Sequence, residues 1–169
     1  MLIGLLAAPL IFVLCAWLTR AQRARIISAL AGGFAYSALN FGWDQAARAA
    51  GWWTYVVGEG AASLPVVNYG IASLLYAAFA LFGWRLARGY GRRGLLIFLL
   101  FWVVWGLLHD LSGAAAFAGG QAIVFHPGPV ALLADLLLYL TGMSAALAVI
   151  RWLGGPYKRD RLRKYIGEG

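Results

Sequence analysis

Asp135 sits in the run PVALLADLLLYLTGMSAALAVI, where it is the only charged residue. A carboxylate inside an apolar helix is costly, so it is either buried against a partner or used chemically. Three more groups of this kind, Asp44, His109 and Asp110, occur where apolar segments end. Acid–base chemistry needs a proton donor and an acceptor within hydrogen-bonding reach, and these four are the candidate catalytic residues. Trp53, Tyr55, Asn68, Trp105 and Tyr139 complete the candidate site as substrate-binding residues.

The elements that must position these residues follow from composition. Of 169 residues, 63% are hydrophobic and only 12% charged, too few charges to cover a soluble domain. The apolar residues are grouped into runs long enough to cross a bilayer, so the expected fold is an all-α, polytopic membrane helix bundle. Met1 to Thr19 lacks the basic start and cleavage site of a signal peptide and reads as a retained first span. The second span starts at Ile26 and stays uncharged to Trp43, continuing past Asp44. The third runs from about Ala61 to Trp84, the fourth from Gly94 to Leu108 and the fifth from Pro129 to Ile150. The expectation is therefore about five transmembrane helices, forming a single domain over residues 1–155, followed by a basic tail over 156–169. The stretch GAAAFAGG reads as a close-packed helix end or a partly re-entrant connector. Cys15, the only cysteine, reads as a small buried apolar residue.

Orientation follows from the basic residues. In a five-span arrangement, thirteen of the fourteen Lys and Arg residues fall on one side, from Arg20, Arg23 and Arg25 to the Lys158–Lys164 tail. The positive-inside rule makes that side cytoplasmic and puts the N-terminus outside, in a multi-pass protein of the inner (cytoplasmic) membrane. The net charge of +8 is then explained by topology and by attraction to anionic lipid, with no nucleic-acid partner.

This arrangement gathers the polar residues in the outer half of the membrane. Asp44 falls at the outer end of the second span, and Asn68 about two turns into the third. His109 and Asp110 fall near the outer end of the fourth, and Asp135 about two turns into the fifth; at ~1.5 Å per residue Asn68 and Asp135 lie roughly 10 Å deep. Tyr36, Asn40, Asp44 and Arg48 recur every four residues and form one helical stripe; Trp102, Trp105, His109 and Ser112 form another, and Asp135, Tyr139 and Gly142 a third. Such stripes could wall an apolar groove that ends in acids and a histidine, which suits a long hydrocarbon substrate.

Simpler roles compete for several of these residues. Trp52, Trp53 and Tyr55 could be interfacial anchors, and Asp44 and Arg48 a membrane-edge ion pair. His126, before Pro127, reads as a solvated loop residue. His109 and Asp110 point about 100° apart on a helix, so both need not enter one site. No nucleotide-binding loop, Cys-x-x-Cys, His-x-x-x-His or Gly-x-Ser-x-Gly occurs. No lysine lies in a span, which argues against a retinal Schiff base. His109, Asp110 and Asp135 could hold one divalent cation, but the expectation is a site without metal or cofactor.

The pattern Asp44-x-x-Ala47-x-x-x-Gly51-x-Trp53-x-Tyr55, followed by Pro65-Val66-x-Asn68-Tyr69-Gly70, resembles the membrane-embedded carotenoid biosynthesis proteins, in particular the bisanhydrobacterioruberin hydratase-like group. WDQAARAAGWWTY also looks like the small membrane lycopene cyclases, but Val66, Val67 and Asn68 follow Pro65 here in place of a glutamate pair. The resemblance covers about thirty of the 169 residues. It implies hydration or cyclisation at a carbon–carbon double bond of a membrane-dissolved isoprenoid, with membrane lipid as surroundings and Asp44 and Asp135 as proton donor and base. Protonating an isolated alkene needs a carboxyl group kept neutral by an apolar site. The alternative is a non-catalytic small membrane subunit or transporter-like protein, whose polar cluster is interhelical glue and whose glycines around Gly32 and Gly33 and from Gly113 to Gly120 are packing faces. A second copy of the chain or a partner membrane subunit is a possible associate on either reading.

Overall fold

The computed structural model describes residues 2–57, 60–62, 66–112 and 121–156. Gly58, Glu59, Pro65, the stretch 113–120 and the tail from 157 lie outside the described residues. Among the described residues, four helices carry the fold: α1 (Leu2–Leu18), α2 (Arg23–Ala50), α3 (Val66–Leu111) and α4 (Pro129–Gly154). Three short strands, β1 (Trp53–Val57), β2 (Gly60–Ala62) and β3 (Gln121–Phe125), form an antiparallel sheet in the order β2-β1-β3.

α3 bends back on itself. Gly91 has φ 61° and ψ −139°, a combination open essentially to glycine alone, and it separates two helical arms, 66–90 and 92–111. The arms are antiparallel neighbours: the Phe98 ring lies where a side chain on Gly83 would be, and the Leu86 carbonyl lies against Gly94. The four helices thus comprise five helical segments, the break falling in the expected connection between the third and fourth spans. The third span begins later than expected. Ala61 belongs to β2, the helix starts at Val66, and Asn68 is therefore in its first turn instead of two turns deep.

α2 is the hub, packed against both α3 and α4, while α1 lies against α3. Glycine makes this possible. A side chain on Gly32 would strike the Ala146 backbone, and one on Gly33 the Ser73 carbonyl and Ala77. Small residues let helix backbones approach closely. The Gly32–Gly33 packing face is thus filled from within the chain. α2 stops at Gly51, whose φ of 68° is the left-handed cap that turns the chain into β1.

The two ends of the bundle differ. At one, buried Arg25 donates to the carbonyls of Ile150 (3.0 Å) and Pro156 (3.2 Å), placing a cation at the carbonyl end of α4. Arg25 and Arg88 both lie over the buried Trp84 ring, at 5.4 and 4.8 Å from its centroid. At the other end lies the sheet, the departure from an all-helical reading. Pairing of Trp53 with Phe125 joins segments about seventy residues apart, and the backbone N–H of exposed His126 extends that edge to the Trp52 carbonyl (2.9 Å).

The outside of the bundle is apolar. Leu10, Phe34, Ile97, Leu100 and Leu133 are each more than half exposed. Among the described residues, Val66–Leu111 and Pro129–Gly154 are long and apolar enough to cross a membrane. Cys15 is buried.

Candidate functional site

α2 brings Asp44 to the sheet end, buried beneath β1. Trp53 Nε1 (3.1 Å) and the Tyr55 hydroxyl (3.0 Å) both donate to Asp44 Oδ1, and the Tyr69 hydroxyl donates to Oδ2 (2.6 Å). Alternation along β1 puts Trp53 and Tyr55 on one face of the strand, which is why both reach the same oxygen. Burial and the neighbouring Asp44 carboxyl push the Tyr55 hydroxyl far above the usual tyrosine range, so it remains a donor. Asp44 makes these three bonds in place of the ion pair with Arg48 that the spacing also allowed, and exposed Arg48 donates to Gln45 (2.7 Å).

One face of α2 continues inward as an aromatic wall. The rings of Tyr36 and Tyr76 stack at 3.8 Å and 7°. The Tyr36 hydroxyl accepts from Trp102 Nε1 (3.1 Å), and the Tyr76 hydroxyl from the Asn40 amide (2.8 Å). Phe79 packs on Trp102 (4.7 Å) and Trp105 (5.6 Å), and Trp105 packs on the His109 ring (5.2 Å). Gly106 and Gly142 leave room for this wall, since a side chain at either would strike Tyr139 or Tyr36.

The second arm of α3 and the start of α4 meet over Asp110. Its Oδ1 lies 2.9 Å from His109 Nδ1, and its Oδ2 accepts from the Tyr139 hydroxyl at 2.9 Å. The adjacent pair His109–Asp110, expected to diverge, is joined side chain to side chain. His109 is 44% exposed, Asp110 18% and Asp135 0%. Asp135 lies against Asp110, and no donor reaches either of its oxygens among the described residues. Two carboxylates without a proton cannot hydrogen-bond to each other; with one proton between them they can. Asp44, Asp110 and Asp135 are near enough for their charges to interact.

Eight of the nine candidate residues have these neighbours. Asp44, Trp53 and Tyr55 form one group, and His109, Asp110, Asp135, Tyr139 and Trp105 another, with Tyr36 and Tyr76 between. Asn68, half-buried in the first turn of α3, is next to Tyr69 in sequence. Trp53 and Tyr55 turn inward to Asp44. Tyr69 and Tyr76 are contributors that sequence reasoning missed. Their spacing of seven puts them on one face of α3, and that face meets the Tyr36–Asn40–Asp44 stripe. Among the described residues no three His, Cys, Asp or Glu side chains converge to hold a metal ion. No family model, curated protein or solved structure matches the chain.

Proposed function

We propose that the chain is a multi-pass inner-membrane protein, crossed by five helical segments with the N-terminus outside, that performs acid–base chemistry at a carbon–carbon double bond of a membrane-dissolved isoprenoid of carotenoid type. The observation that carries this reading is Asp135, fully buried, with no donor on either oxygen among the described residues, against a second carboxyl and beside an aromatic wall. A carboxyl in such surroundings is suited to hold a transferable proton.

For hydration, the Asp135 O–H bond breaks as a C–H bond forms at one alkene carbon. The cation left at the other carbon faces aromatic π-density from Tyr36, Tyr76 and Trp102. Water adds its oxygen there, and its surplus proton goes to Asp44, the carboxylate held by three donors. The sum is alkene plus water to alcohol. For cyclisation, a second double bond replaces water as the nucleophile, and the proton is lost from carbon. The resemblance of the Asp44–Gly70 stretch to carotenoid hydratase-like proteins supports the same chemistry.

The test is expression in a carotenoid-producing bacterium, followed by chromatography of the pigments and by assay of the purified protein on a polyene. A new hydroxylated or cyclised pigment is expected. Unchanged pigments with abundant folded protein would overturn the reading. One observation favours the subunit alternative at a single residue: all three Asp44 bonds tie α2 to β1 and α3, as interhelical glue would. On that reading Asp44→Asn lowers folded yield and changes no pigment.

A further inference from the structure

The candidate site contains one connected route between water and the buried carboxyl. His109 is nearly half exposed, its Nδ1 is 2.9 Å from Asp110, and Asp110 lies against Asp135. Exposure falls along this series from 44% to 18% to zero. The Tyr139 hydroxyl holds the far oxygen of Asp110, which keeps its carboxyl oriented between the other two. The route starts at the sheet end, where α3 stops at Leu111, and goes no deeper than Asp135. Inward from Asp135, α4 presents Leu138, Met143, Leu147 and Ile150 to the core, and the one buried ionisable side chain among them, Tyr139, turns its hydroxyl back to Asp110. A path that enters from one side and stops at a buried acid delivers protons; it does not conduct them across.

We propose that His109 and Asp110 form a proton relay from the aqueous phase at the sheet end to Asp135, so that the protons used in the reaction are drawn from that side of the membrane. This rests on the acid–base reading above. The imidazole takes a proton from water and its Nδ1–H passes a proton to Asp110 Oδ1; Asp110 passes one to Asp135, replacing the proton lost to the alkene. The proton received by Asp44 returns to solvent, so no proton is consumed over a cycle. His109 acts through Asp110 and is a positioning residue. The other ionisable groups facing this path are Asp44 and Tyr36 from α2, Tyr55 from β1, Tyr69 and Tyr76 from α3, and Tyr139 from α4.

The test uses the full chain in proteoliposomes, with His109→Gln, which can still hydrogen-bond but cannot titrate, and with His126→Gln as the control at an exposed connector histidine. With polyene present, His109→Gln should slow conversion by about tenfold or more. Added imidazole should restore most of it, and His126→Gln should match the parent. A second readout needs no substrate: the infrared band of a protonated carboxyl, assigned by its loss in Asp135→Asn or its shift in Asp135→Glu, is followed after transfer to deuterium oxide. Its exchange should slow about tenfold in His109→Gln and recover with imidazole. Exchange that depends on His109 without any polyene conversion by the parent would leave the relay standing and overturn the isoprenoid reading. Conversion with exchange and rate indifferent to His109→Gln would overturn the relay alone. Absence of a carboxyl band sensitive to Asp135 would also overturn it, because Asp135 would then hold no proton to replace.

Discussion

Asp44 and Asp135 are both buried carboxyl residues, yet their hydrogen-bonding surroundings differ. Asp44 accepts from an indole and two phenols, and each such bond favours its charged form. Asp135 has no donor among the described residues and a second acid beside it. Under the proposed chemistry, Asp135→Asn should abolish polyene conversion, since the amide keeps size and hydrogen bonding but has no proton to transfer; protein recovered folded from the membrane is measured in the same preparation. Asn68→Ala should reduce conversion less, because positioning is lost by degrees. Tyr69→Phe removes the shortest bond to Asp44 and should lower stability in detergent by about 1–2 kcal/mol, read from a thermal or denaturant transition. Much of this cluster was legible in the sequence. The four-residue stripe Tyr36–Asn40–Asp44 does face one set of partners. What spacing along one helix cannot specify is the partner on another, and so the bonds of Asp44 to Tyr69 and of Asn40 to Tyr76 cannot be read from the stripe itself.

Between the elements, glycine sets the geometry. Gly91 alone lets α3 reverse, because a side chain at φ 61° and ψ −139° is strained by about 1–3 kcal/mol. Gly91→Ala should therefore cut the yield of folded protein and lower its melting temperature, whereas Gly89→Ala, with no positive φ and open space around it, should change neither. Gly142→Ala should be worse still, since the added carbon enters the Tyr36 ring and pushes it off its stack with Tyr76. Helices are legible in sequence because their apolar runs are local, and α4 begins at Pro129, the residue that opens the expected fifth span. The sheet is not. β1 is five residues of WTYVV, which also suits a membrane interface, and its partner β3 lies beyond the whole of α3. That pairing is specified by tertiary context, which no local period records.

At the scale of the molecule, the question is how many segments cross the bilayer. Taken as one straight rod, α3 would be 46 residues and about 69 Å long, more than twice the ~30 Å of hydrocarbon it would have to fit. Its reversal at Gly91 yields arms of about 37 and 30 Å, each near one bilayer thickness. The same reversal brings Arg88 to the end where Arg25 meets the carbonyls of α4, and leaves His109 and Asp110 at the end that carries the sheet. Arg25 and Arg88 thus lie at one end and Asp44, His109 and Asp110 at the other, an arrangement that fits the proposed five crossings with the basic end in the cytoplasm. Reporter fusions after Arg25, Gly89 and Gly169 should then all report cytoplasm, and fusions after Glu59 and Gly120 the outside. If only the two arms of α3 and α4 crossed, with α1 and α2 lying on one side, fusions after Arg25 and Glu59 would report the same compartment. The Arg25–Glu59 comparison isolates α2, whose 28 residues include Asp44 and three arginines and are the least apolar of the four helices. Equal signals there would remove α2 from the membrane, expose Asp44 to an aqueous phase, and with it take away the apolar setting on which the proposed proton chemistry depends.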